Sequence, residues 1–127
     1  MKRTVLAIRN RLILEAVTLA LKKAGFCVAQ STSQDTSQIL LACVATYANL
    51  LVMDVSRFGD GTLEQRTDTM KAVRKQNPAI KIALLCDNVS DEEVAYNVKR
   101  AKEDGLIDAF FYESVPSDYL ADALDAL

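Results

Sequence analysis

The sequence predicts an α/β protein in which helices cover both faces of a parallel β-sheet. Short apolar segments alternate with longer segments of helical period, an order typical of parallel strands joined by crossover helices. Residues 50–55 (LLVMDV) form the strongest strand pattern, because an apolar run without alternation indicates burial on both faces. Strand–helix units fill the chain, so right-handed connections predict one doubly wound domain over residues 1–127.

The predicted strands are short and largely apolar, and they lie at residues 4–8, 26–30, 50–55, 80–85 and 108–112. The predicted helices alternate with them and lie at residues 12–24, 36–48, 63–76, 90–104 and 116–127. Gly25 and Gly105 are placed to end two helices, while Ser90 and Glu93 have the spacing of a capping box that begins another. The second helix is expected to pack on the sheet through one apolar face, formed by Ile39, Leu40, Cys43 and Val44.

Charge and composition exclude several classes of function. The net charge is −2 and the pI is near 5.1, so we do not expect this domain itself to bind nucleic acid or an anionic membrane surface. The chain has no histidine, which excludes Ser-His-Asp and Cys-His catalysis as well as histidine metal sites. We therefore expect a binding or signalling domain and not an enzyme.

The three cysteines predict structural thiols. Cys27, Cys43 and Cys86 are far apart and lack CxxC spacing, which argues against a metal knuckle or a redox pair. Buried, reduced thiols are typical of a cytoplasmic protein, and the first residues predict a strand and not a signal peptide. We therefore expect a cytoplasmic location.

Asp54 is the main candidate for a functional residue. It is the only charge in the strand at residues 50–55, and a charge at the end of a doubly buried strand often marks a site. The alternative is a structural carboxylate that caps the following loop. Ligands of doubly wound sheets collect at the carboxyl ends of the strands, so the residues to inspect there are Arg9, Asn10, Asp54, Val55, Cys86, Asp87, Glu113 and Ser114.

Four segments resemble the receiver domain of two-component response regulators, the CheY-like family: VLAIRN, NLLVMDV, KIALLCD and DAFFYES. The resemblance extends over essentially the whole chain. It implies a flavodoxin-like sheet of five parallel strands in the order 2-1-3-4-5. It also implies that Asp54 stands where a receiver accepts a phosphoryl group from a histidine kinase.

The other positions of that phosphorylation site do not match the family. The family has two acids after the first strand, a Ser or Thr after the fourth and a Lys after the fifth, where this chain has Arg9 and Asn10, Cys86, and Glu113. Arg9 removes a metal ligand and adds a positive charge, and Glu113 repels the incoming phosphoryl group. We expect an atypical receiver that works without phosphorylation and without a cofactor. We also expect Arg9 to pair with Asp54, and with Glu113 as a second partner.

Two alternatives remain open. In the first, Asp54 is a working phospho-acceptor of a His-Asp phosphorelay, Mg²⁺ is the cofactor, and Asn10 and Asp87 are substitute metal ligands, with Asp60 as a further acid nearby. In the second, the domain is a flavodoxin-like enzyme or nucleotide binder, but no GxGxxG or GxxxxGK[ST] follows any predicted strand.

The resemblance implies a partner protein or a fused output domain, such as a DNA-binding domain in a transcription regulator. It also implies a possible homodimer through the fourth helix, fifth strand and fifth helix. Charges of opposite sign on the two helices support that surface, whose expected residues are Lys99, Arg100, Lys102, Phe110, Asp118, Asp122 and Asp125. The last helix is expected to pack on the sheet through Tyr119, Leu120, Ala123, Leu124 and Leu127.

Overall fold

The computed structural model describes residues 2–87, 89 and 91–127. Its five parallel strands are β1 (Arg3–Ala7), β2 (Cys27–Gln30), β3 (Leu50–Asp54), β4 (Lys81–Cys86) and β5 (Ala109–Tyr112). The sheet has the order β2-β1-β3-β4-β5, which confirms the predicted topology. All five residues of β3 are buried, as expected for the central strand of a sheet that is covered on both faces.

Five helices connect and follow the strands: α1 (Arg11–Lys23), α2 (Thr36–Thr46), α3 (Leu63–Gln76), α4 (Glu92–Glu103) and α5 (Ser117–Asp125). The predicted bounds of α3 are confirmed, and those of the other helices differ by at most two residues at either end. Gly25 and Gly105 follow α1 and α4 with φ of 94° and 78°, the left-handed conformation expected of a helix stop. The predicted capping box falls on Ser90, which lies outside the described residues; the Asp91 side chain caps α4 by accepting from the Val94 amide.

The sheet separates two apolar layers. Helices α2, α3 and α4 cover one face, where Ile39, Val73 and Val98 pack against alternate residues of the central strands. Helices α1 and α5 cover the other face through residues such as Leu21 and Leu124. Both faces of the sheet are therefore buried, and the ends of the strands remain for function. Among the described residues, no helix is long and apolar enough to cross a membrane.

Three expectations about packing were wrong. Tyr119 of α5 is 61% exposed, because Ala121 takes the inward position beside Leu120 and Leu124. Val44 of α2 is exposed, and only Ile39 and Cys43 of the expected face are fully buried. Cys27 is exposed because it begins the edge strand β2, whereas Cys43 and Cys86 are buried thiols as expected.

Candidate functional site

Asp54 lies at the carboxyl end of β3, where the chain leaves the centre of the sheet. In the sheet, Asp54 is paired with Leu85 of β4. Asp54 is 3% exposed. A cavity of about 320 Å³ opens above it. The cavity brings together most of the strand-end residues that the sequence singled out, with others from the loops around them: Arg9, Asn10, Val55, Ser56, Arg57, Asp87, Asp91, Val94 and Glu113.

The side chain that dominates this site is Arg66 of α3, which the sequence analysis did not identify. Arg66 is 1% exposed, and its Nη2 donates to Asp54 Oδ1 at 2.8 Å. Its Nε donates to the Asp54 carbonyl oxygen at 2.8 Å, while Nη2 also reaches the Ala7 carbonyl oxygen at 3.1 Å and Gln34 Oε1 at 2.6 Å. The guanidinium thus joins the ends of β1 and β3 and has several acceptors, as a buried cation requires.

Arg9 supplies a second cation from the outer side. Its backbone N–H donates to Asp54 Oδ2 at 3.1 Å, and its Nε lies 3.4 Å from the same oxygen. The expected Arg9–Asp54 pair is therefore present, with the Arg9 side chain 34% exposed. No Arg9–Glu113 ion pair occurs in the described part of the chain. Both Asp54 oxygens are engaged, one by each arginine.

The charges of the site influence each other. Burial lowers the pKa of Arg66, the Asp54 carboxylate opposes that shift, and the second cation, Arg9, adds to it. The pKa of Glu113 is raised by burial and by its like-charged neighbours Asp54 and Asp87, against a smaller opposite effect of Arg9. Two guanidinium groups, those of Arg66 and Arg9, therefore contact the Asp54 carboxylate, while Asp87, Asp91 and Glu113 line the cavity around them.

Gly61, in the loop between β3 and α3, lies against the side chains of Arg66 and Arg9. It is buried with φ of 86°, and a Cβ at this residue would lie 3.1 Å from both Arg66 Nη2 and Arg9 Nε. Its amide donates to Gln65 Oε1 at 2.7 Å, and its carbonyl oxygen accepts from the Ser56 amide at 2.9 Å. A side chain here would be strained by the positive φ and would require the two guanidinium groups to shift by a few tenths of an ångström.

These residues do not fit a Mg²⁺ ion, whose octahedral shell takes carboxylates and waters. Asn10 Oδ1 caps α1 by accepting from the Leu12 and Ile13 amides, so it is already used as an acceptor. The Arg9 guanidinium lies beside Asp54, and Asp60, the further acid expected nearby, acts on the charge of Arg66 but does not line the cavity. Within residues 2–87, 89 and 91–127, no group of three His, Cys, Asp or Glu side chains is placed to hold a metal ion.

Cys86, at the position of the family's hydroxyl, does not reach the cavity. It is fully buried in the layer under α4, and its thiol donates to the Phe111 carbonyl oxygen at 3.8 Å. Burial, with smaller contributions from Glu113 and Asp87, raises its pKa to about 11. Cys86 is therefore a protonated thiol at neutral pH, and it is not among the residues that line the cavity above Asp54.

The surface of α4, β5 and α5, which is expected to bind a partner, exposes the charged residues named for it above. Helix α4 exposes Lys99, Arg100 and Lys102, and α5 exposes Asp118, Asp122 and Asp125. Phe110 of β5 is half-buried, packs against the core, and meets the Tyr112 ring edge-on at 5.8 Å. Asp125 also lies 4.0 Å from Lys2 Nζ, so one of the acids interacts with its own chain.

No model of a protein family and no curated protein matches this chain. Solved structures of response regulator receiver domains match almost all of it. One is the response regulator TrrA of Thermotoga maritima in complex with Mg²⁺ and BeF, at 18% identity and a TM-score of 0.73, covering 99% of this chain and 98% of that one. Another is the chemotaxis protein CheY4 of Vibrio cholerae, at 19% identity, a TM-score of 0.74 and the same coverage.

A third similar structure comes from a family of redox sensors in the streptococci that evolved from two-component response regulators. It is 19% identical with a TM-score of 0.77, and the match covers 99% of this chain but only 50% of that one. The neighbours of this fold are therefore CheY-like receiver domains, and identities below 20% make fold the property that they share with this chain.

Proposed function

We propose that this chain, which has the fold of response regulator receiver domains, is an atypical receiver that regulates a partner without phosphoryl transfer. The observation that carries the proposal is the buried contact between Arg66 and Asp54. A receiver uses this carboxylate as a nucleophile, and here one of its oxygens is bonded to a guanidinium that water does not reach. The chain provides its own permanent cation at that position.

Electrostatics supports the same conclusion. A divalent cation approaching Asp54 meets the like charges of Arg66 and Arg9 within about 4 Å of the carboxylate, where repulsion is weakly screened. Glu113, in the place of the family's lysine, lines the same cavity and repels a phosphoryl group. The phospho-acceptor alternative needs Asn10 as a ligand, and its amide oxygen already caps α1.

A receiver that does not change its phosphorylation state acts by presenting one conformation to a partner. We propose the surface of α4, β5 and α5 for that contact, and a fused output domain, a separate protein or a second copy as the partner. A two-fold axis there would set the exposed Lys99 and Arg100 of one copy against Asp118 and Asp122 of the other. Light scattering of Lys99→Glu with Arg100→Glu, at low and high salt, tests the homodimer.

Intact-mass measurement tests the absence of phosphorylation. The chain is incubated with Mg²⁺ and a small phosphodonor, next to the Asp54→Asn variant. We expect the mass of the wild-type protein to remain unchanged. A stoichiometric phosphate adduct that is absent from Asp54→Asn would establish the phospho-acceptor function instead.

A further inference from the structure

The side chain of Arg57 joins the loop between β3 and α3 to the first turn of α4. Arg57 Nε donates to Asp91 Oδ2 at 2.9 Å, and Nη2 donates to Asp91 Oδ1 at 2.6 Å. The same Nη2 lies 3.1 Å from Glu93 Oε2. A guanidinium that bonds both oxygens of one carboxylate is held in a fixed orientation as well as strongly attracted. Arg57 therefore connects two segments that follow different strands of the sheet.

Asp91 is the N-cap of α4, so this contact involves the residue at which the helix begins. Its Oδ1 also accepts from the Val94 amide at 3.2 Å, and its carbonyl oxygen accepts from the Ala95 amide at 3.2 Å. The hydrogen bond from Arg57 lowers the pKa of Asp91 against the opposing effect of desolvation, and the N-cap is a carboxylate at neutral pH. Negative charge is favourable at this end of a helix.

The loop that carries Arg57 is held by hydrogen bonds on both sides of this residue. The Ser56 amide donates to the Gly61 carbonyl oxygen at 2.9 Å, and Ser56 Oγ donates to the Phe58 carbonyl oxygen at 3.0 Å. Gly61 in turn lies against the two guanidinium groups that contact Asp54. The same loop therefore contacts the cations of the Asp54 site and carries the arginine that bonds α4.

Both partners of the contact also line the cavity above Asp54. Val94, whose amide is bonded to Asp91, lines this cavity too and packs in the apolar layer under α4. The ion pair is therefore part of the cavity wall on the side of α4. A helix moves as a rigid element, so the position of its first turn also influences residues further along it.

We propose that Arg57 is a positioning residue that couples the Asp54 site to α4, and through this helix to the surface of α4, β5 and α5. The inference rests on the proposed function, in which that surface binds a partner. Arg66 and Arg9 bond Asp54 from α3 and from the end of β1, and Arg57 continues the connection to α4. Permanent ion pairs within the chain then set the orientation of the partner surface, and no bound group is needed.

Amide NMR of the full chain tests the coupling with Arg57→Gln. The Arg57 side chain is 42% exposed, so we expect this variant to fold. Amide hydrogen exchange of Val94 and Ala95 should become about threefold faster, because the N-cap that holds them loses its partner. The amide chemical shifts of Lys99 and Arg100 should change as well. These residues lie about two helical turns beyond Asp91, so a purely local role of Arg57 would leave their shifts unchanged.

A second variant separates the ion pair from helix capping. Asp91→Asn keeps a side chain that caps a helix as well as aspartate does, but it removes the charge. It should reproduce the changes seen in Arg57→Gln, and the two substitutions together should have little more effect than either alone. Arg3→Gln removes another exposed arginine, at the opposite end of the sheet, and serves as the control in which α4 keeps its exchange rates and shifts.

Two results would overturn the coupling. One is an exchange rate of Val94 and Ala95 in Arg57→Gln that equals that of the wild-type protein. The other is a change that stops at the first turn and leaves Lys99 and Arg100 unaffected. A phosphate adduct in the intact-mass measurement would contradict the proposed function instead, so the two failures are distinguishable.

Discussion

Arg66 Nη2 lies 2.8 Å from Asp54 Oδ1, with 1% of one side chain and 4% of the other exposed. A buried ion pair of this kind contributes little compared with an apolar pair of the same size, but loss of one partner leaves the other charge buried and uncompensated. The pair is consequently a sensitive point of the fold. It also determines what chemistry the carboxylate can perform.

Arg66→Met should lower the free energy of unfolding by about 3–5 kcal/mol, because it removes the buried cation and keeps much of the volume. Arg9→Ala should cost only about 1 kcal/mol, since Arg9 is a third exposed and Arg66 still compensates Asp54. Urea denaturation measures both. Equal losses for the two variants would contradict the dominant role of Arg66.

Asp54→Leu combined with Arg66→Met should recover part of the stability that Arg66→Met loses, because neither charge is then buried alone. The same denaturation experiment, run as a double-mutant cycle with Asp54→Leu as the other single variant, measures the coupling. Additive losses in the double variant would show that the two side chains do not act as a pair.

Gly61→Ala should destabilise the fold more than Gly59→Ala. Both glycines have positive φ, 86° and 76°, so an alanine at either is strained by about 1 kcal/mol or more. Only at Gly61 does the added Cβ also meet the Arg66 and Arg9 guanidinium groups, at 3.1 Å, and we expect a further loss of about 1–2 kcal/mol. Thermal unfolding compares the two variants directly. Equal losses of stability would mean that a Cβ at Gly61 does not clash with the guanidinium groups.

Stability should fall as the pH rises through the titration of Glu113. Its folded-state pKa is raised above the usual 4.5 by burial, Asp54 and Asp87, so between the unfolded and folded pKa values the native state binds the extra proton. The free energy of unfolding therefore decreases across that window as Glu113 loses its proton. Glu113→Gln should remove this part of the pH dependence and be more stable at neutral pH. If the stability of Glu113→Gln depends on pH in the same way as that of the wild-type protein, Glu113 is not the source of the decrease.

One cysteine of the three should react in the native state. Cys27 is exposed, whereas burial raises the pKa of Cys43 and of Cys86 to about 11. A thiol-specific reagent should label one equivalent in buffer and three in denaturant, and Cys27→Ser should remove the native signal. If the native Cys27→Ser variant is still labelled rapidly, one of the two buried thiols becomes accessible in the folded protein.

The strand order and most element bounds could be predicted because they follow from local patterns: apolar runs for strands and glycine stops for helices. The Arg9 contact could be predicted as well, since the end of β1 lies next to the end of β3 in this topology. The exposure of Tyr119 could not be predicted, because Tyr119 and Ala121 both lie near the edge of an apolar stripe. Packing against the sheet decides which of them turns inward.

Arg66 was missed because the segment Leu63–Gln76 has few apolar residues and looks like an exposed helix. A signal was present in the spacing. Met70 and Val73 are the inward residues of α3, and Arg66 precedes them by four and seven positions, on the same stripe. An arginine on the inward stripe of a helix that follows a buried aspartate indicates a buried pair, although spacing alone does not reveal which acceptor it reaches.

We propose that Arg66 and Arg9 hold the Asp54 site in one state that neither a metal ion nor a phosphoryl group can enter. Amide NMR spectra recorded during a titration with Mg²⁺ and beryllium fluoride test it most directly, because the complex mimics a phosphorylated aspartate without a covalent step. We expect the amides of Asp54, Val55 and Glu113 to keep their chemical shifts throughout. Saturable shifts at these residues that disappear in Asp54→Asn would contradict it.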